Sequence, residues 1–282
     1  MKLYNESAEF FVPDGKSVEE ALKRTTHMGI SAHQDDIEIM AYDGILECFG
    51  KDDKWFFGVV VTNGAGSPRA DLYEKYTDED MIIVRKKEQK KAAFIGEYSG
   101  VALLDYTSSQ VKDANNEKPV DELEALLRKA APKVVYTHNL ADKHDTHVGV
   151  TLKVIKAIRR LPKELRPEKL YGCEVWRNLD WMLDEDKVSF NVSGHPNIAS
   201  ALVEIHDSQV CGGKRYDLAT MGRRKAHATY AASHGTDDAE YLIFGMDLTP
   251  LIQDDSLDVL EYVQSYINRF ANDVASKIKK MS

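Results

Sequence analysis

The chain has 282 residues, of which 43% are hydrophobic and 29% are charged, a composition typical of an ordinary globular protein. Its 37 Lys and Arg residues against 46 Asp and Glu give a formal net charge of −9. That balance argues against wrapping nucleic acid or docking on an anionic membrane, because both need a positive surface. The three cysteines form no C-x-x-C pair, which suits a reducing compartment. Because the sequence shows neither a signal-peptide pattern nor an apolar run of bilayer length, we expect a cytoplasmic protein.

Short apolar runs alternate along the chain with longer segments of helical period. The short runs end at turn residues and predict buried strands at residues 27–32, 55–62, 101–106, 133–137, 170–176 and 241–246. Helices are predicted for residues 78–98, 120–130, 146–161, 197–210, 218–233 and 256–280. Strands that alternate with helices predict an α/β fold with a mostly parallel sheet covered on both faces. In such sheets ligands bind beyond the carboxyl ends of the strands.

The first predicted strand is followed at once by one imidazole and three carboxylates, within residues 32–38. Carboxylates that lie close together repel one another, so a buried cluster of them needs a compensating cation. His33 and Asp36 are spaced so that a turn could direct both at one divalent metal ion, with Asp35 beside them. The plainer interpretation is a solvated helix cap, since Asp is common at helix starts.

A second polar cluster, residues 138–147, follows the fourth predicted strand and holds three of the nine histidines. His144 and His147 are three residues apart where a helix is predicted to begin, so they can share a face. Asp142 and Asp145 are candidate caps or hydrogen-bond partners for these imidazoles, although histidines also collect in polar loops. Both clusters are predicted at the same sheet edge, where two His and one Asp would suit an open zinc site, or one for iron or another divalent metal.

The pattern A-H-x-D-D-x-E after a strand, followed much later by H-x-x-H at a helix start, resembles the PIG-L/LmbE-like deacetylases. Four further segments resemble that family: a Gly-rich loop, an R-x-x-E…A-A…G helix, a T-H…D-x-H-x-x-H segment and an H-x-S-Q helix. In this chain they are residues 61–67, 85–96, 133–147 and 206–209. The resemblance covers residues 29–209 of the chain.

The resemblance implies a single LmbE-like deacetylase domain over residues 1–282, on a Rossmann-like three-layer sandwich. Residues 30–40 and 138–147 would build its metal site, and the C-terminal helix at 256–280 would pack on it. The implied activity is that of a zinc-dependent hydrolase of linear amides, which removes an N-acetyl group from a glucosamine-type sugar conjugate. Zn²⁺ is the expected cofactor, with Fe²⁺ left open. The expected partner is a small-molecule amino-sugar conjugate, with no nucleic acid and no membrane, and a homo-oligomer is left open.

Carried over position by position, the resemblance also implies roles for individual residues. The expected metal ligands are His33, Asp36 and His147. Asp35 is the expected general base, and His144 is the expected acid or oxyanion partner. The candidate substrate-binding residues are Arg69, Asp142 and His206.

Two positions depart from the family's pattern. Gln34 stands where the family usually has Pro, and Thr146 stands where an Asp usually orients the catalytic imidazole. Asp142 or Asp145 could take over that orienting role. Two alternatives to a deacetylase remain: a hydrolase of another amide, ester or carbamoyl bond on the same site, and a non-catalytic sugar-binding protein on the same fold. The presence of a base and an acid beside all three ligands counts against the non-catalytic alternative.

The walls of the binding pocket are harder to identify from the sequence. Residues 68–77 and 108–118 are expected to contribute to them. Trp176 and Trp181 are candidates for stacking on a sugar ring, although tryptophans more often pack in the core or at an interface.

Overall fold

A computed structural model describes residues 3–282. Its strands are β1 (Glu9–Phe11), β2 (His27–Ser31), β3 (Phe56–Thr62), β4 (Gly100–Tyr106), β5 (Val134–His138), β6 (Lys169–Cys173), β7 (Lys187–Asn191) and β8 (Leu242–Asp247). Its α-helices are α1 (Val18–Arg24), α2 (Asp36–Met40), α3 (Tyr42–Cys48), α4 (Asp78–Ile95), α5 (Ser108–Lys112), α6 (Lys118–Ala130), α7 (Asp145–Arg159), α8 (Pro196–Glu204), α9 (Asp207–Val210), α10 (Tyr216–Tyr230), α11 (Thr249–Gln253) and α12 (Val259–Met281).

The eight strands form one sheet in the order β1-β4-β3-β2-β5-β6-β8-β7. The five central strands, from β4 to β6, are parallel, whereas β1, β8 and β7 pair antiparallel with their neighbours. The chain runs outward from β2 through β3 to β4 and then returns to the other side of β2 as β5. The carboxyl ends of β2 and β5 therefore adjoin at the point where the strand order reverses, which is where a crevice forms in α/β sheets.

Alternate residues of the central strands face opposite layers of helices. Met28 and Ile30 of β2 belong to the apolar cluster that packs under α1, α6 and α7. Phe56 and Val60 of β3 belong to a second cluster, which packs under α2, α3, α4 and α8. This two-residue alternation buries the sheet on both sides, so the central strands read as continuous apolar runs. The α/β class and the mostly parallel sheet predicted from the sequence are confirmed.

The predicted elements differ from the observed ones mainly at the ends and edges. The strand predicted at 170–176 ends at Cys173, and the helix predicted at 197–210 is divided into α8 and α9. The strands β1 and β7 were not predicted, because each lies at an edge of the sheet and is only partly buried, and neither contains an apolar run of four or more residues. The helix predicted at 256–280 is α12, and its Tyr262 and Val263 lie against the core. Within residues 3–282, no helix combines the length and the apolarity that crossing a membrane requires.

Candidate active site

The segment after β2 turns sharply before α2 begins. Asp35 has φ of 85°, a left-handed conformation that costs a residue other than Gly about 1–3 kcal/mol. The backbone N–H of His33 donates to Oδ2 of Asp36 at 2.7 Å, so the first residue of the helix caps the turn that precedes it. As a result, the side chains of His33 and Asp36 meet on one side, with Nδ1 and Oδ2 at 3.2 Å.

The segment after β5 is held by side chains that accept hydrogen bonds from the backbone. Oδ1 of Asp142 accepts from the N–H of His144 at 2.9 Å, and Oδ2 of Asp142 accepts from the N–H of Trp176 at 3.0 Å. His144 is the N-cap of α7, and its Nδ1 accepts from the N–H of Thr146 at 3.3 Å. These bonds place His147 in the first turn of α7, buried and directed at the carboxyl end of β2.

Three donor atoms from the two segments form a nearly regular triangle. Nδ1 of His33 lies 3.2 Å from Nε2 of His147, which lies 3.4 Å from Oδ2 of Asp36, and the third side is the 3.2 Å between His33 and Asp36. Ligands held tetrahedrally by zinc at its usual bond lengths are about 3.3–3.4 Å apart. Two imidazole nitrogens and one carboxylate oxygen at this spacing therefore fit a zinc ion with an open fourth position.

His138, the last residue of β5, is a further donor at this point that the sequence analysis did not select. Besides the triangle, two more groups of three donors converge among residues 3–282: His33, His144 and His147, and Asp36, His138 and His147. However, Nε2 of His138 accepts from the N–H of Ala32 at 2.7 Å, so its lone pair is engaged by the backbone. Its ring also stacks on that of His147 at 3.8 Å between centroids. Its place at the end of a central strand was the signal that could have identified it.

Neighbouring imidazole rings lower the pKa of Asp36. Burial by itself would raise the pKa of this carboxyl, but the rings of His147, His138 and His33 reverse the effect and lower it. Burial would likewise lower the pKa of His147, but the carboxylates of Asp36 and Asp142 raise it. Asp36 is therefore an anion, and three histidines surround its carboxylate.

Two histidines line the cavity, His33 and His144, and burial lowers the pKa of both. Burial lowers the pKa of His33 to about 4, against the opposing effect of Asp36. It also lowers the pKa of His144, which is partly buried. Both rings are therefore neutral near pH 7, the state in which imidazole is a metal ligand and a weak proton donor.

Asp35 lies beside the donor triangle and is paired with Arg85. Oδ1 of Asp35 is 3.0 Å from Nη2 of Arg85, and both side chains are almost fully buried. Burial raises the pKa of Asp35 to about 7, in spite of the guanidinium, and the nearby carboxylate of Asp36 adds to the rise. The sequence analysis aligned Arg85 with a family helix but did not assign it to the site.

A buried polar network supports Asp35 from behind. The N–H of Asp35 donates to Oε1 of Gln89 at 3.3 Å, and Nε2 of Gln89 donates to Glu38 at 2.8 Å. Glu38 also accepts from the hydroxyl of Tyr98 at 2.7 Å and lies 3.2 Å from Nε2 of His206. Burial would lower the pKa of His206, but Glu38 raises it. The network joins α2 and α4 to the segment before α9, and so fixes the backbone that carries Asp35.

The donor triangle opens into a cavity of about 370 Å³. His33, Asp35, Asp36 and His144 lie in its wall. The other lining residues come from the loop after β3, from α2, α4 and α5, and from the segments around β6, α9 and α10; they are residues 64–68, Ile39, Arg85, Ser108, Val175, Trp176, Gln209, Lys214 and Tyr216. Pro68 and Ser108 belong to the two segments expected to form walls. The cavity has a size usual for a small-molecule site.

The candidate substrate-binding residues Arg69, Asp142 and His206 are not among the lining residues of this cavity. Arg69 forms an ion pair with Asp78 and donates to the carbonyl of Ala65 at 2.7 Å. The Asp142 side chain is fully buried, with Oδ2 at 3.5 Å from Nδ1 of His147. His206 lies in the network behind Asp35. A substrate-binding role therefore finds no support in the position of any of the three.

Aromatic and cationic side chains of the later segments form one wall of the cavity. Trp176 and Tyr216 meet edge to face with ring centroids 6.0 Å apart, and Nζ of Lys214 lies 5.1 Å from the Trp176 ring centroid. Trp176 was a candidate for sugar stacking, whereas Lys214 and Tyr216 were not singled out. No motif marks them, and only the folding of the segment before α10 brings them to the site.

Residues 28–158 match the family model described as PIG-L: GlcNAc-PI de-N-acetylase. This match confirms the PIG-L/LmbE-like resemblance recognised in the sequence. No curated protein matches the chain.

Solved structures with the same fold include proteins of different activities. N,N'-diacetylchitobiose deacetylase from Pyrococcus horikoshii superposes with a TM-score of 0.63 and 14% identity over 82% of this chain and 86% of that chain. The conserved protein TT1542 from Thermus thermophilus superposes with a TM-score of 0.61 and 18% identity, over 77% of this chain and 92% of that chain. GalB, the 4-carboxy-2-hydroxymuconate hydratase from Pseudomonas putida, superposes with a TM-score of 0.58 and 16% identity, over 79% of this chain and 95% of that chain. At these identities the likeness establishes the fold alone.

Proposed function

We propose, from the match of residues 28–158 to the PIG-L family model, that the protein is a zinc-dependent hydrolase that removes an N-acetyl group from a glucosamine-type sugar conjugate. The observation that carries this proposal is the donor triangle of His33, Asp36 and His147, two of whose members, His33 and Asp36, lie with the buried carboxylate of Asp35 in the wall of one cavity. A binding protein would not need Asp35 in that position.

We assign the metal ligands as His33, Asp36 and His147. The donor spacing and the mixed nitrogen and oxygen chemistry support zinc, and Fe²⁺ would accept the same donors. When bound, the ion would supply Lewis-acid polarisation of the acetyl carbonyl and make water more acidic. We assign Asp142 to orienting His147, because Oδ2 of Asp142 faces Nδ1 of the His147 ring. Asp142 would thus take the role of the Asp that the family usually has at the position of Thr146.

Asp35 is the proposed general base. A base works best when its pKa is near the working pH, and burial raises the pKa of Asp35 to about 7. Arg85 holds one carboxylate oxygen at 3.0 Å, so the carboxylate has a fixed orientation. In the reaction Asp35 takes a proton from the attacking water, and it then returns that proton to the nitrogen of the leaving amine.

His144 is the proposed oxyanion partner. Its Nδ1 accepts the N–H of Thr146, which leaves Nε2 as the nitrogen that carries the proton in the neutral ring. This N–H can donate to the negative oxygen that develops on the acetyl carbonyl. Trp176 offers an aromatic face for the apolar side of a sugar ring, at one wall of the same cavity.

We further infer that residues 1–282 act as one domain on a Rossmann-like sandwich. The parallel strands follow the order β4-β3-β2-β5-β6, with helices on both faces, which is the arrangement of a doubly wound sheet. Support for a single domain comes from the continuous sheet, since strands from both halves of the chain lie in it. The C-terminal helix joins this body through Val259, Tyr262, Val263 and Tyr266.

A free-amine assay tests the proposal. The protein, stripped with a chelator and reloaded with one equivalent of Zn²⁺, is incubated with N-acetylglucosamine, N,N'-diacetylchitobiose, N-acetylglucosamine conjugates, and matched esters and carbamates. We expect amine and acetate in equal amounts from N-acetyl amino sugars, loss of activity without metal, and recovery with Zn²⁺. Turnover restricted to esters or carbamates would favour the alternative hydrolase. Binding of a sugar without turnover by the zinc-loaded protein would favour the non-catalytic alternative.

A further inference from the structure

Lys214 is a cation of the cavity wall that no carboxylate of the protein neutralises. One Arg and one Lys line the cavity, Arg85 and Lys214. Arg85 is almost fully buried and pairs with Asp35 at 3.0 Å. Lys214 is exposed, and its ammonium group forms neither a salt bridge nor a hydrogen bond with the residues from 3 to 282. Its charge is therefore available to a ligand that enters the cavity.

The turn after α9 gives Lys214 and its neighbour Arg215 different surroundings. The N–H of Lys214 donates to the carbonyl of Gln209 at 3.1 Å, which closes a turn through Gly213 at a φ of +123°, a conformation that favours glycine. Lys214 then lines the cavity, whereas Arg215 does not line it and pairs with Asp217 at 2.6 Å. Two adjacent cations thus differ in their access to the site, and Arg215 is a matched control for Lys214.

Trp176 connects Lys214 with the histidines of the site. Nζ of Lys214 lies 5.1 Å from the centroid of the Trp176 ring, and that ring lies 6.5 Å from the ring of His144. The ring of His144 is in turn 5.0 Å from that of His33, a proposed metal ligand. The N–H of Trp176 donates to Asp142 at 3.0 Å, so the backbone that carries the ring is held in place.

We propose that Lys214 is a specificity-determining residue that binds an anionic group of the sugar conjugate, a phosphate or a carboxylate, a role that rests on the proposed function. With the acetyl group beside His33 and His144 and the sugar ring against Trp176, a substituent on another carbon of the ring reaches Lys214. An ammonium group is a compact charge with three rotatable donors. Lys214 therefore selects for negative charge rather than for one particular acid.

The surroundings of Lys214 differ from those of a lysine that stabilises the fold. Lys153 is buried, and its Nζ donates to the carbonyls of Asp113 and Asn116 at 3.0 and 2.9 Å. Lys214 has no such partners among the described residues. The whole chain carries a net charge of −9, which repels anions at long range. A cation at the cavity is therefore needed to compensate for this repulsion if the substrate is anionic.

Calorimetry with ligands that cannot be cleaved tests this role without turnover. The zinc-loaded protein is titrated with N-acetylglucosamine 1-phosphate, carboxymethyl N-acetylglucosaminide and methyl N-acetylglucosaminide, each as an analogue with CH₂ in place of the amide NH. The two anionic analogues should bind about fivefold to tenfold more tightly than the neutral methyl glycoside. Lys214→Met keeps the aliphatic stem but should remove most of this preference, and Lys214→Arg should retain it. Arg215→Met should leave the preference unchanged, and circular dichroism verifies the fold of each variant.

Steady-state hydrolysis of the corresponding amides adds a second measurement. Lys214→Met should lower the ratio of kcat/KM between anionic and neutral glycosides about fivefold to tenfold, through KM rather than kcat, because the contact is the same in the ground state and the transition state. Raising the salt concentration to about 0.5 M should lower the wild-type ratio, since salt screens the ammonium charge.

The outcomes separate the role of Lys214 from the proposed activity. A preference that depends on Lys214 supports the role with either anion, and the tighter of the two anionic ligands identifies the acid. Equal binding of charged and neutral analogues, binding of neither, or a preference that Lys214→Met leaves intact would overturn the role of Lys214. Binding of the analogues without release of amine from the amides would contradict the proposed hydrolysis, and the calorimetric comparison would still decide what Lys214 does.

Discussion

The segments after β2 and after β5 bring the three donor atoms of the triangle together, but each segment is shaped by different interactions. After β2 the chain needs only the residues from Ala32 to Asp36, and it makes the turn with one strained residue, Asp35. After β5 it uses about ten residues and no residue with a positive φ. There the geometry comes from Asp142, whose carboxylate accepts two backbone N–H bonds and faces His147.

This difference predicts how the two segments tolerate change. In the first segment, the side chains that we propose as base and metal ligands also shape the turn itself, so a substitution there should abolish activity. In the second, the ligand and the residue that orients it are separate, so the orienting residue can be changed for a partial effect. The loop after β3, which contacts the first segment, offers a third and purely structural comparison.

The largest effect is expected from Asp36→Asn. This change removes the carboxylate that lies within 3.5 Å of all three of His33, His138 and His147. Metal affinity should fall by more than about 100-fold, beyond the range expected for an orienting residue, and hydrolysis should be lost. Metal analysis after equilibrium dialysis measures the first quantity. Full zinc occupancy in a folded variant would remove Asp36 from the ligand set.

Asp35→Asn should separate chemistry from metal binding. Asn tolerates the left-handed backbone better than most residues but cannot accept the proton. The turnover number should fall about 10²- to 10⁴-fold, while zinc content stays at the wild-type value. Steady-state assays and metal analysis on the same preparation make the comparison. An unchanged turnover number would mean that another group is the base.

Asp142→Asn should give an intermediate effect through the second segment. Loss of the carboxylate beside Nδ1 of His147 is expected to weaken zinc binding about 10- to 100-fold. Asp145→Asn is the matched control, because Asp145 is exposed at the start of the same helix. Competition with a zinc indicator measures both. Equal losses in the two variants would contradict the orienting role of Asp142.

The smallest effect is expected from Gly64→Ala. Gly64 has φ of +71°, and a Cβ there would overlap Oε1 of Gln34 and approach Arg85 at 2.9 Å. The free energy of unfolding should fall by about 1–3 kcal/mol, as measured by urea denaturation. Gly66→Ala provides the control, since a Cβ at Gly66 meets nothing within 4 Å. If both variants were equally stable, the contact between this loop and the first segment would not be constraining.

Most of the central architecture could be predicted because each parallel strand is buried on both faces. Such a strand must be apolar along its whole length, so β2, β3, β4, β5, β6 and β8 stand out as runs. The edge strands β1 and β7 are half exposed and carry no comparable pattern. The break between α8 and α9 also escaped prediction, because the apolar period continues across Ile205 while the polar His206 turns into the buried network.

The fold class, the family resemblance and the two polar segments follow from the amino-acid sequence alone, because they depend on local patterns and short spacings. The folded chain was needed to show that Asp142 rather than Asp145 faces His147, and that Arg85 holds Asp35. It was also needed to show that Lys214 and Tyr216 line the cavity, whereas Arg69 does not. Asp142 and His147 are close in the sequence, but Arg85 and Asp35 are far apart in it, as are the residues that line the cavity. Their proximity follows from strand order and helix packing, which no local pattern encodes.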